Sequence, residues 1–91
     1  MADALRFHGT IRYFRPAQQG GLAVIHIPHD VASVLGGLKQ MRVRGLMNGT
    51  EFTSNTMPAG GGVLTLSVSR RLLADAQLRV GDEADIEIER L

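Results

Sequence analysis

The sequence contains no cysteine, no tryptophan and only one tyrosine, Tyr13. Without cysteine the chain can form neither disulfides nor thiolate metal sites, and this composition fits a reducing compartment. We therefore predict a cytoplasmic protein. With a single tyrosine and three phenylalanines, the chain also has few aromatic side chains that could stack on nucleic-acid bases.

Charge of one sign and long apolar runs are also missing. The chain has 10 Lys and Arg residues against 9 Asp and Glu residues, a formal net charge of +1 that produces no strong field for nucleic acid or an anionic membrane. No stretch approaches the roughly 18 apolar residues of a membrane span, and Met1 to Arg6 lacks the regions of a signal peptide. We expect neither membrane contact nor export, and the charge disfavours nucleic acid as a partner.

The length and the apolar content indicate one folded unit. A chain of 91 residues is below the usual size of two domains, so we predict a single domain over residues 1–91. Its 44% of hydrophobic residues is enough to build a core. A separate catalytic domain has no room here.

Alternation of apolar and polar residues indicates six strands. The predicted strands cover residues 6–13, 22–27, 40–44, 50–55, 63–68 and 84–89. Asn48-Gly49 supplies the positive φ angles of a tight hairpin turn between the third and fourth strands. Polar breaks are predicted at Pro16 to Gly20 and in the glycine-rich loop Met57 to Gly62. The strand at 50–55 is so polar that we expect it at a sheet edge or along a pocket.

Two short helices interrupt the strands. The first follows Asp30, carries Val31, Val34 and Leu35 on one face and ends at the glycines that follow. Ser69 caps the second helix, whose apolar side carries Leu72, Leu73 and Ala76. Two such helices cannot cover both faces of an open sheet. We therefore predict an all-β fold, a closed six-stranded β-barrel with the helices covering its ends.

Several short fragments, in this order, resemble one bacterial family. They are Ile27-Pro28-His29-Asp30-Val31, Arg42-Val43-Arg44-Gly45, Asn48-Gly49, Phe52-Thr53-Ser54, Met57-Pro58, Leu66-Ser67-Val68-Ser69-Arg70 and Val80-Gly81-Asp82. The family is the domain of unknown function DUF1905. The resemblance implies a small double-split barrel similar to those of the AbrB and MazE type, with structural roles for Pro28, Gly45, Gly49 and Gly81. It implies no catalytic residue and no ligand.

The predicted hairpin around Asn48-Gly49 carries the candidate ligand-binding residues. They are Arg42, Arg44, Asn48, Thr53 and Ser54. The two guanidiniums lie on the same face of one strand, and guanidiniums suit carboxylate or phosphate groups. The alternative is structural: these arginines would pair with Glu51 or with the acidic final strand. We predict a small anionic ligand or a protein partner at this hairpin.

Metal, cofactor and catalytic sites are not predicted. Pro28 separates His26 from His29, so helical metal-ligand spacing does not apply. The glycines at 60–62 lack a following Gly-Lys-Ser/Thr and lead into a strand, so a phosphate-binding loop is not expected. The serines lie in no nucleophile elbow, and the acidic residues of the last strand share one exposed face.

Three functional hypotheses follow from these observations. The first is a non-catalytic binding module for an anionic ligand or a protein partner. The second, by analogy of fold alone, is a dimeric DNA-binding barrel of the AbrB type, which the small charge and the single Tyr13 disfavour. The third is an enzyme whose site the sequence does not reveal. A homodimer would stabilise a domain this small.

Overall fold

The computed structural model describes residues 4–15 and 21–91, so the predicted break at Pro16 to Gly20 lies outside the described residues. The strands are β1 Leu5–Thr10, β2 Arg12–Tyr13, β3 Ala23–Ile27, β4 Arg42–Met47, β5 Thr50–Gly60, β6 Val63–Val68 and β7 Glu83–Arg90. The helices are α1 His29–Leu35 and α2 Arg70–Ala76. The mostly β fold with two short helices is therefore confirmed, and the first predicted strand is divided into β1 and β2.

All strand pairs in the sheet are antiparallel, and the sheet has seven strands in the order β1-β7-β4-β5-β6-β3-β2. It curls into a half-barrel that stays open, so the predicted closed six-stranded barrel is wrong. β1 pairs with β7 at one edge, and β2 pairs with β3 at the other. Gly9 of β1 lies so near β3 that an added Cβ would be 2.6 Å from Cγ2 of Ile25, but the described residues form no ladder between these strands.

The core fills the concave side of the half-barrel. Its fully buried side chains include Ile25, Met47, Leu66 and Ile88, which come from four different strands. α1 contributes Val31, Ala32 and Leu35 to the core, and α2 contributes Leu72. The predicted placement of Val34 on the buried face of α1 is wrong, because 72% of this residue is exposed.

β5 differs most from its prediction. The predicted loop at residues 57–62 is wrong, because β5 continues to Gly60 and only Gly61 and Gly62 form the turn into β6. Pairing of Met57 with Thr65 holds the strand in place despite Pro58, and the register shifts between Pro58 and Gly60. β5 also lies between β4 and β6, not at a sheet edge. The predicted turn at Asn48-Gly49 is confirmed, with φ angles of 47° and 86°.

Among the described residues, no helix is long and apolar enough to cross a membrane.

Candidate binding surface

The solvent-facing side of β1, β7, β4 and β5, here called the outer face, carries oppositely charged cross-strand pairs. Nε of Arg44 on β4 lies 2.6 Å from Oε1 of Glu89 on β7. Nη2 of Arg6 on β1 lies 3.1 Å from Oε1 of Glu87, also on β7. Both arginine side chains are mostly exposed, so each pair contributes about 1 kcal/mol or less. The pairs nevertheless occupy the guanidiniums that a ligand would need.

Three of the five predicted ligand-binding residues make contacts within the domain. Arg44 pairs with Glu89, as the structural alternative expected. The Asn48 side-chain oxygen accepts a hydrogen bond of 2.8 Å from the backbone N–H of Asp85, which joins the hairpin to β7. The hydroxyl of Ser54 donates to the backbone carbonyl of Ser67 and joins β5 to β6. These contacts give each of the three residues a structural role.

The other two predicted residues, Arg42 and Thr53, have exposed side chains on the outer face. Thr53 pairs with Arg44 across β4 and β5 and lines a shallow groove of about 670 Å³. Carboxylates of Glu51, Glu87 and Glu89 line the same groove. Three carboxylates beside one paired arginine make this groove unfavourable for an anion. Of the predicted set, only Arg42 therefore offers a cation without a carboxylate partner.

Arg42 belongs to a second surface, which forms where α1 ends and β7 ends. We call this surface the basic end and define it by its cations, Lys39, Arg42 and Arg90. All three residues are exposed, and so are Val34 and Leu38 in the neighbouring part of the chain. The three cations make no hydrogen bond or ion pair through their side chains with any residue that the structure describes. The basic end therefore carries positive charge that the described part of the chain leaves unneutralised.

Gly36, which follows α1, brings Lys39 and Arg90 together. A Cβ added to Gly36 would lie 2.9 Å from Nη1 of Arg90 and 3.7 Å from Cε of Lys39, so both side chains approach the same point. Arg42 lies at the same end of the sheet but on its outer face, because it is next to buried Val43, which pairs with Arg90 across β4 and β7. The backbone N–H of Leu91 also donates to the carbonyl of Arg42 at 3.0 Å. The fold thus brings Lys39 and Arg90 together and places Arg42 at the same end of the sheet, on its other face.

A buried hydroxyl holds the segment between α1 and β4 in position. Thr56 of β5 is fully buried, and its Oγ1 accepts a hydrogen bond of 2.9 Å from the backbone N–H of Met41. The same hydroxyl donates to the carbonyl of Lys39 at 2.9 Å. Thr56 therefore fixes the backbone that carries one of the three cations.

His8 on β1 lies between two carboxylates of β7 at the opposite end of the outer face. Its Nδ1 is 2.7 Å from Oδ1 of Asp85, and its Nε2 is 3.3 Å from Oε1 of Glu83. The hydrogen bond to Asp85, followed by the one to Glu83, raises the pKa of His8 above 6.5. Because the pKa is raised on folding, the stabilisation is fully present below pH 6.5 and is lost as the pH rises through the pKa of His8 in the folded protein.

We expect an NMR titration to show His8 with a pKa above 6.5, and Asp85→Asn to bring that pKa back towards 6.5. Glu83→Gln should lower it less, because the hydrogen bond to Glu83 is the smaller cause. His26 serves as the internal control, since burial and then the charge of Arg12 lower its pKa and neither involves β7. An unchanged His8 pKa in Asp85→Asn would contradict the described pairing.

Within the described ranges, no three His, Asp or Glu side chains are placed to hold a metal ion. The two carboxylates beside His8 contact opposite nitrogens of its ring, so the three groups do not converge on one point.

Sequence reasoning found Arg42 but missed the rest of the basic end. Lys39 follows a helix and Arg90 ends the last strand, so no local motif joins them. The strand register that brings Arg90 beside Val43 is the feature that unites them. Only a correct pairing of the last strand with the strand before the hairpin would have identified this site.

Sequence comparison agrees with the resemblance seen in the short fragments. No curated protein matches the chain at a significant level. The profile of the family described as domain of unknown function (DUF1905) matches residues 7–88, nearly the whole chain. The predicted relation to the AbrB and MazE barrels is not tested by this match and stays a prediction. On the extent of the match, the chain belongs to the DUF1905 family.

Proposed function

We propose that the domain is a non-catalytic binding module that binds an anionic group of its partner at the basic end. One observation carries this proposal: Lys39 and Arg90 approach the same point beside Gly36, and neither they nor Arg42 at the same end of the sheet has a carboxylate partner among the described residues. Elsewhere on the outer face, Arg6 and Arg44 each contact a glutamate. Clustered unpaired cations favour carboxylate or phosphate, to which they donate charge-assisted hydrogen bonds.

A binding role fits the geometry better than a catalytic one. His8 makes its hydrogen bonds and ion pairs with Asp85 and Glu83, on an open strand surface. A catalytic histidine works beside a hydroxyl, thiol or bound water that it activates. The basic end holds guanidiniums and an ammonium, which bind and orient anions but are poor proton acceptors at neutral pH.

The test is an NMR titration of the protein with citrate and, separately, with inorganic phosphate. We expect amide shifts concentrated at residues 36–42 and 90–91. The double variant Lys39→Gln/Arg90→Gln should weaken citrate binding about tenfold, because the two cations that approach the same point are lost. The effect should shrink as salt is added, since exposed charges are screened.

The matched control removes the same charge elsewhere. Arg71 of α2 and Arg79 are exposed and precede β7, whereas Arg90 ends it, so Arg71→Gln/Arg79→Gln should bind citrate as the unmodified protein does. Equal weakening in both double variants would show that only the overall charge matters. Shifts spread over the whole surface, or none, would refute the proposed site.

A further inference from the structure

We propose that the occupant of the basic end is a segment of a partner protein in which carboxylates alternate with apolar side chains. This inference rests on the proposed function and names the partner of the same site. It starts from the exposed apolar residues beside the cations. Val34 is 72% exposed and Leu38 is 47% exposed.

The position of these residues is informative because exposed large apolar side chains are few. The described residues have four of them, and two, Val34 and Leu38, precede Lys39 by five residues or fewer. A single exposed leucine needs no explanation, but a group beside unpaired cations is typical of an interaction site. Val34 lies on the solvent side of α1, where a polar residue would stabilise the helix equally well. Its exposure serves a contact outside this chain.

Charge and apolar surface together select the chemistry of the partner. The three cations attract carboxylates, and Val34 and Leu38 lose contact with water only if the partner brings apolar side chains. A small anion such as free phosphate would satisfy the cations alone. A protein segment with interleaved acidic and apolar residues satisfies both.

An anionic membrane is the main competitor, and the number of charges disfavours it. Basic surfaces that bind anionic lipid carry about four to eight Lys and Arg residues. The basic end has three, and the whole chain has a formal net charge of only +1. A peptide needs only a few complementary charges at short distance, so we commit to the peptide.

The experiment compares two peptides of equal charge, one with glutamates and leucines and one in which every leucine is serine. We expect the leucine peptide to bind more tightly to the unmodified domain. Val34→Ser/Leu38→Ser should weaken its binding about tenfold, as expected when contacts of two apolar side chains are lost. Citrate binding should stay unchanged in that variant. Both positions are exposed, so the fold should tolerate the substitutions.

Leu22→Ser is the matched control, because Leu22 is another exposed large apolar residue, is 45% exposed and precedes β3 away from the basic end. It should bind the leucine peptide like the unmodified domain. If both peptides bound equally tightly, the inferred partner would be wrong. The proposed function would still stand if the domain bound citrate. Loss of binding to citrate and both peptides would refute both. If the domain bound phosphatidylserine vesicles more tightly than the leucine peptide, and Val34→Ser/Leu38→Ser abolished that binding, the partner would be a membrane and not a peptide.

Discussion

Gly45→Ala is expected to lower the free energy of unfolding by about 3 kcal/mol, at the upper end of the cost of overpacking. Gly45 lies in β4 opposite Ile88 of β7. An added Cβ would overlap the backbone carbonyl of Glu87 and lie 2.9 Å from Cα of Ile88. Backbone atoms cannot rotate away as a side chain can, so β4 and β7 would have to separate.

Urea unfolding and thermal unfolding followed by circular dichroism measure this effect. A loss of about 3 kcal/mol corresponds to a drop in Tm of more than about 10 °C for a domain of this size. Gly61→Ala separates the clash from backbone strain, because Gly61 has a φ of 62° and nothing within 4 Å of an added Cβ. That control should cost about 1 kcal/mol. Equal losses in the two variants would contradict the close approach of β4 and β7.

Gly45 also shows what the resemblance to a family could and could not provide. The resemblance implied a structural role for Gly45, Gly49 and Gly81 but gave no reason. At Gly49 and Gly81 the reason is local, because their φ angles are 86° and 102°. At Gly45 it is the backbone of a distant strand, which no local pattern contains. The physical cause therefore becomes visible only in the folded chain.

Local patterns predicted the strands and helices better than their assembly. Alternation located β1, β4 and β7, because one face of each strand is buried and the other faces the solvent. It also located β6, although Thr65 on the other face of that strand is buried as well. Whether the sheet closes depends on the distance between β1 and β3, which alternation does not determine. Pro58 and the glycines predicted a loop, but pairing with β6 keeps Met57 to Gly60 in a strand. Tertiary pairing thus overrode the local preference.

The candidate site, too, could be predicted only in part from local patterns. A pattern of residues identified Arg42 and Arg44 as cations on one face, and the fold then gave them different surroundings. Arg44 lies opposite Glu89, whereas Arg42 lies near Arg90 at the end of the sheet. The register of β4 and β7 decides which arginine is paired. The sequence therefore predicted the cations, and the fold selects the one that is available to a partner.

Thr56→Val is expected to destabilise the domain by about 2–4 kcal/mol and also to weaken citrate binding. Valine has nearly the same shape as threonine but cannot accept from the N–H of Met41 or donate to the carbonyl of Lys39. Each buried polar group left without a partner costs about 1–3 kcal/mol. The segment after α1 would then lose its attachment to β5, and Lys39 would lose its fixed position near Arg90.

Urea unfolding measures the first effect, and the NMR titration with citrate measures the second under conditions where the variant is folded. Leu72→Ala is the matched control: Leu72 is buried in α2, away from the basic end, and its truncation should cost about 2–5 kcal/mol. If stability alone governed binding, both variants would bind citrate equally. Weaker binding in Thr56→Val alone would show that the buried hydroxyl positions Lys39, whereas unchanged binding in both would mean that Lys39 contributes its charge without needing a fixed place.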